Sequence, residues 1–151
     1  MVICFNEKIN NFNENNLKSF SSYDDRNSYM QSLMPELSDV CSNKCHSCGA
    51  INTLVKFGSY HRNISCIIDD VIENYNVSVH RVKCKSCNHT HALLPNFLVP
   101  YKIMTLSSIA IIAQRAAISS AYKLAEIINL SFQSIYVFIA SVLSFFMILN
   151  C

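Results

Sequence analysis

Cys45 and Cys48 in "CHSCG" share their spacing with Cys84 and Cys87 in "CKSCN". A C-x-x-C pair bends its backbone into a tight knuckle, and two knuckles can set four thiolates tetrahedrally around one Zn²⁺. Such a knuckle closes through a left-handed backbone conformation, which glycine tolerates best and asparagine next. Gly49 and Asn88 stand directly after the two pairs. Four thiolates leave the ion with net negative charge, and Lys44, Arg81, Lys83 and Lys85 lie close by in the chain to offset it. The interval from residue 49 to residue 83 is 35 residues long, against ~15–20 in the commoner zinc spacing. An extended hairpin absorbs the excess. The expected cofactor is one structural Zn²⁺, in a closed site with no open position for a reacting water.

Disulfides and a redox dithiol are the competing readings of the same pairs. The opening "MVICFNEKINNFNENN" is polar rather than a secretory leader, which points to a reducing, cytoplasmic setting. A redox motif wants a βαβ context that these pairs lack. Cys41, four residues before Cys45, is either a competing ligand or a thiol of the flanking loop. Cys66 in "ISCIID" reads as a small buried hydrophobe of a strand. Cys4 and Cys151 lie near the termini and carry little information. His46 sits inside the first knuckle and points outward. His89 and His91 share a face of a strand, either contacting phosphate or hydrogen-bonding the ligands, or simply solvated. His61 and His80 receive no special role.

The elements that must carry these groups fall into three stretches of a 151-residue chain. Residues 1–40 are Asn- and Ser-rich without a sustained period and read as a loosely ordered arm. Residues 41–100 form the expected zinc ribbon, with strand-like runs "TLVKFGSYHRNI" and "YNVSVHRVKC". In "IIDDVIENY" the acidic residues mark a turn between strands. Residues 101–151 turn helical. The expected fold class is therefore α+β, a small β-rich zinc ribbon followed by an all-α helix-turn-helix-like tail. Net charge is only +2, but it is unevenly spread. The middle stretch holds most of the positive charge, where a polyanion would meet it.

The combination "CHSCGA…LVKFGSYHR…VHRVKCKSCNHTHALLPNFLVPY" resembles an uncharacterised bacterial transposase-like zinc-ribbon family. The resemblance is closest over residues 45–101 and extends more loosely through the tail. It implies four ligands, at Cys45, Cys48, Cys84 and Cys87, and a place in a mobile-element system, without supplying a known activity.

In the tail, "SAYKLAEIINLSFQSIYVFIASV" fits a helix-turn-helix. Leu124, Ile128, Leu130, Ile135 and Phe138 occupy its apolar positions, Asn129 its turn, and Ser131 the cap of the second helix. The preceding "TLSSIAIIAQRAAISS" would be the supporting helix. The exposed candidates on the second helix are Gln133 and Tyr136, and no charge follows Glu126. Phosphate contacts dominate affinity for DNA, so the grip must come mainly from Lys44, Lys56, Arg62, Arg81, Lys83 and Lys85, aided by Arg115 and Lys123. A plain helical hairpin and solvated surface cations are the competing readings. The apolar run "IYVFIASVLSFFMIL" has 15 residues, short of the ~20 that span a membrane. A buried helix, a homodimer interface or a core left uncovered by a short chain suits it better.

No catalytic constellation emerges. Asp69, Asp70 and Glu73 cluster without a distant carboxylate to complete a metal-dependent site, and Glu126 is the one acidic residue after Glu73. The expected function is DNA binding by a non-catalytic accessory or N-terminal part of a transposase-like system, with a separate catalytic transposase subunit as partner. The rival is a zinc-stabilised module whose apolar C-terminal helix binds a protein or a membrane.

Overall fold

β-Branched and aromatic residues in period-two alternation run almost unbroken from Leu54 to Cys84, and they build one long hairpin. A computed structural model describes residues 2–5, 12–39 and 44–118. Strand β2 (Leu54–Ile68) pairs antiparallel with β3 (Val71–Cys84), and β3 pairs antiparallel with β4 (Thr90–Pro95). A short strand β1 (Val2–Phe5) joins β4 in parallel, giving the order β1-β4-β3-β2. Asp69 and Asp70 form the hairpin turn with φ of 47° and 65°. Two positive-φ residues in a two-residue loop match the twist of the flanking strands, and aspartate tolerates that conformation. The "IIDDVIENY" turn stands where the sequence placed it.

Antiparallel pairing sends partners to one face. Tyr75, Val77 and Val79 of β3, with Ile64, Cys66 and Ile68 of β2, bury one face against Leu17, Met30, Met34, Leu94, Phe97 and Leu98. Val82 and Cys84, three and five residues after Val79 and so out of that alternation, bury the opposite face with Leu54, Leu93 and Cys45. The buried side of the sheet thus changes between Val79 and Val82. At that point β2 carries a bulge: Lys56 pairs with Val82 and Ser59 with His80, so Phe57 and Gly58 together oppose Arg81. Bulges bend a strand and deepen its twist, which suits a sheet that exchanges its buried faces.

Within the stretch read as a loosely ordered arm, residues 12–39 hold helices α1 (Glu14–Lys18) and α2 (Tyr23–Ser32) and a short 3₁₀ turn at Leu37–Asp39. Ser22 caps α2 by accepting from the Asp25 amide at 3.1 Å, and Asp24 and Asp25 favour the positive end of the helix dipole. Helix α2 lies along the edge of β3 that β4 leaves uncovered. Gln31 both donates to Ser78 O (3.1 Å) and accepts from Ser78 N (2.7 Å). Asn27 accepts from Asn76 N at 3.0 Å, and the Tyr23 hydroxyl donates to Asn74 O at 2.9 Å. Residues 23, 27 and 31 recur every four residues and share one helical face. They stand in for a neighbouring strand and protect an edge that would otherwise pair with another chain.

The expected fold class needs correction at its C-terminal half. The protein is a three-stranded antiparallel sheet with the short parallel β1 at its edge and a few short helices, not a ribbon followed by an all-α tail. Helix α3 (Leu106–Ile118), expected as the supporting helix of that tail, is joined to the sheet at its start. Met104 bridges to Ser65 in parallel, the Ser65 amide donates to Ile103 O (2.7 Å), and the Thr105 amide donates to Ser65 O (3.2 Å). The Ile67 amide donates to the Ser108 hydroxyl at 2.9 Å, and Ile109 and Ile112 are buried. The outer edge of β2 has backbone groups to satisfy, and the start of α3 satisfies them. The turn at Asn129 and the second helix of the expected helix-turn-helix lie outside the described residues. Among the described residues no helix is long and apolar enough to cross a membrane.

Candidate metal centre

Each knuckle closes by the same pair of backbone hydrogen bonds. In the first, Cys45 N donates to Ala50 O (2.8 Å) and Gly49 N to Cys45 O (2.8 Å). In the second, Cys84 N donates to His89 O (2.9 Å) and Asn88 N to Cys84 O (2.9 Å). Gly49 and Asn88 have φ of 75° and 61°, the left-handed conformation expected of them. The flanking pairs correspond as well, Lys44 with Ile51 and Lys83 with Thr90. The two pairs are one backbone solution used twice. The first stands before β2 and the second joins β3 to β4. Leu54 opposite Cys84 fixes the register between them.

The four sulfurs converge, with every pair of donor atoms within 4.8 Å. Cys45 Sγ lies 3.6 Å from Cys87 Sγ, and Cys48 Sγ lies 3.8 Å from Cys84 Sγ. These separations are far longer than the ~2.05 Å of a disulfide, and the four cysteines are free thiols. Cys45 and Cys84 are buried, while Cys48 is exposed and Cys87 half-buried. One side of the site is thus open to solvent.

Four acidic thiols this close cannot all ionise without a cation. Cys84 is held down to about 6, chiefly by the Thr53 hydroxyl 3.2 Å from its sulfur, with the Cys87 and Ser86 amides helping against desolvation. Cys87 is pushed up to about 12: the His89 amide favours its thiolate, but burial and the neighbouring Cys48, Cys45 and Cys84 outweigh it. Cys48 is also raised: the Ala50 amide and Cys87 favour its thiolate, but desolvation and the neighbouring Cys45 and Cys84 outweigh them. The amides two residues after Cys48 and Cys87 again play equivalent parts. A divalent ion at the centre would remove the mutual repulsion, and the four sulfurs are close enough together to hold one.

Two further groups serve the sulfurs. His91 is fully buried, with Nε2 3.4 Å from Cys45 Sγ. Of the alternatives open for His91, the hydrogen bond to a ligand is the one realised. His89 is exposed. Thr53 was not singled out from the sequence; its position one residue before β2 carries no signal that a sulfur 31 residues later will face it. Cys66 sits in the helix-side core as a strand residue, as expected. Cys41 lies outside the described residues.

The cations expected to meet DNA divide into those near the sulfur end of the sheet and those that hold the fold elsewhere. Lys44, Lys56 and Lys85 are exposed, and Arg81 and Lys83 are half-buried beside the Phe57 ring. Arg62 is committed to the chain itself, donating to Val99 O (2.9 Å) and to Lys102 O. Arg115 pairs with Asp70 at the hairpin turn. Lys123, Gln133 and Tyr136 lie outside the described residues.

Comparison with known proteins adds a family and no activity. A family model described as "Domain of unknown function (DUF6431)" matches residues 45–129, a span that contains all four cysteines of the cluster. No curated protein and no solved structure matches the chain.

Proposed function

Because the chain belongs to the DUF6431 family, whose domain has no assigned function, its role must be read from its own site, and we propose that it is a Zn²⁺-stabilised DNA-binding module. The observation that carries the metal is the sulfur geometry. A tetrahedron with Zn–S of ~2.3 Å has S···S edges of about 3.8 Å, and the two knuckles approach at 3.6 and 3.8 Å. Soft thiolates in a tetrahedral set select zinc over hard cations. Bound Zn²⁺ contributes on the order of 10 kcal/mol to folding in small thiolate sites. The role is structural: the ion holds the start of β2 against the end of β3.

The nucleic-acid part of the proposal rests on charge. No Asp or Glu occurs between Asp39 and Asp69 or between Glu73 and Glu126. Lys44, Lys56, Arg81, Lys83 and Lys85 fall in those stretches, around the metal end of the sheet. Arg62 and Arg115 take no part here, since both stabilise the fold. The module acts as a non-catalytic part of a mobile-element system, with the chemistry on another subunit. Two measurements test this. Elemental analysis should find one zinc per chain. Binding to random duplex or single-stranded DNA should fall steeply from low to moderate salt, and Lys83→Ala with Lys85→Ala should weaken it without loss of zinc. Zinc-loaded protein that binds no DNA at low salt would leave a protein-interaction module as the better account.

A further inference from the structure

We propose that the nucleic acid taken by this surface is single-stranded, with an unstacked base against Phe57 and Arg81 and the adjoining phosphate on Lys83. The inference rests on the nucleic-acid reading above and names its substrate class. Phe57 is 48% exposed, belongs to neither core, and lies on the strand that forms one edge of the sheet. Arg81 Cζ stands 5.6 Å and Lys83 Nζ 5.3 Å from its ring centroid.

The bulge produces this grouping. Phe57 and Gly58 share Arg81 as their opposite residue, and Gly58 has φ of +93° with no atom within 4 Å of where a Cβ would be. Glycine is therefore needed for the course of the backbone, not for space. The same turn of backbone sets an aromatic ring among cations on the outer face of the metal-bearing end. Tyr60, also exposed, pairs with Val79 and so shares the sheet face of Arg81 and Lys83. It offers a second ring further along β2.

An aromatic ring with a planar guanidinium and an ammonium beside it matches the three parts of a nucleotide in a single strand. Bases stack on aromatic and guanidinium planes, and phosphate meets the ammonium. In a duplex the base faces are already stacked, and sequence is read at base edges by an element that enters a groove. A gently bulged sheet face bearing exposed rings has nothing to insert. Glu36 lines a cleft beside Lys56, His80 and Arg81, so one carboxylate limits how far a polyanion extends in that direction.

The test uses the zinc-loaded full chain and fluorescence anisotropy with a labelled twelve-nucleotide oligothymidylate and a duplex of about the same length. The oligothymidylate should bind about tenfold more tightly than the duplex. Phe57→Ala should weaken it about tenfold, in the range of one lost base stack, while Phe57→Tyr retains it. Lys83→Ala should lower the salt slope by about one. Retained zinc and an unchanged melting temperature show that Phe57→Ala is folded; Tyr60→Ala, expected to weaken binding to a smaller extent, supplies a second aromatic probe should it not be. Duplex bound as tightly as single strand, with both aromatic variants neutral, overturns this inference and leaves the DNA reading standing. Failure of both oligonucleotides to bind removes both.

Discussion

The Thr53 hydroxyl, 3.2 Å from Cys84 Sγ, is the main reason that this thiol ionises near 6 instead of near its ordinary value of 9. A depressed acid stabilises the fold when ionised. In chelated protein the Cys84 contribution is complete above about pH 9 and is lost as pH falls towards 6. Cys87 runs the other way, contributing below 9 and losing its contribution as pH rises towards 12. Thr53→Val should therefore flatten the rise in stability between pH 6 and 9, read as urea midpoints across that range with chelator present. Zinc affinity should fall on acidification, because protons compete for the sulfurs. The His91 ring, 3.4 Å from Cys45 Sγ, is placed to orient that sulfur and is not one of the four clustered donors. His91→Leu should weaken zinc binding by about 10–100-fold, measured by competition with a chromogenic chelator, whereas Cys84→Ser should abolish tight binding.

Helix α2 shows why some elements could be read from the chain and others could not. The knuckles were legible because the metal demands thiols and a left-handed residue at fixed local offsets, and Gly49 and Asn88 meet that demand. The Asp69–Asp70 turn was legible for the same local reason. Helix α2 carries no apolar stripe to reveal it; it docks through Tyr23, Asn27 and Gln31, which hydrogen-bond the backbone of a strand some 50 residues later. A search for hydrophobic period passes over such a helix. Thr53 escaped for a related reason, since its partner is distant in sequence, and the alternatives for His91 stayed open because Cys45 is equally remote from it. The bulge did leave a trace, a glycine inside a strand pattern. The start of α3 is the reverse case: its helical period was plain, but its attachment to Ser65 and Ile67 was not. Gln31→Ala leaves both backbone groups of Ser78 without that partner and should cost about 1–3 kcal/mol. Gln31→Glu should retain only the accepting half. Thermal melts of the two variants check this.

The sheet holds two apolar clusters on opposite faces, and the four-cysteine site belongs to only one of them. Stripping zinc should loosen Leu54, Val82 and Leu93 around the sulfurs while Ile64, Val77 and Leu94 keep their packing under the helices. Hydrogen exchange after chelation should show protection lost at Leu54 and Val82 and retained at Val77; uniform loss would mean that the two faces unfold together. Leu94→Ala, in the helix-side cluster, should cost about 2–5 kcal/mol and leave zinc stoichiometry intact. The Asp69–Asp70 turn lies at the opposite end of the β2–β3 hairpin from the sulfurs. Zipping from that tip carries Leu54 to Cys84 residue by residue. Starting from the ion would mean closing a 35-residue loop, with a length-dependent entropy cost of roughly 3 kcal/mol. A metal taken at this site would then be a latch that engages after the strands have met: on the zinc reading, zinc should slow unfolding and leave the refolding rate unchanged.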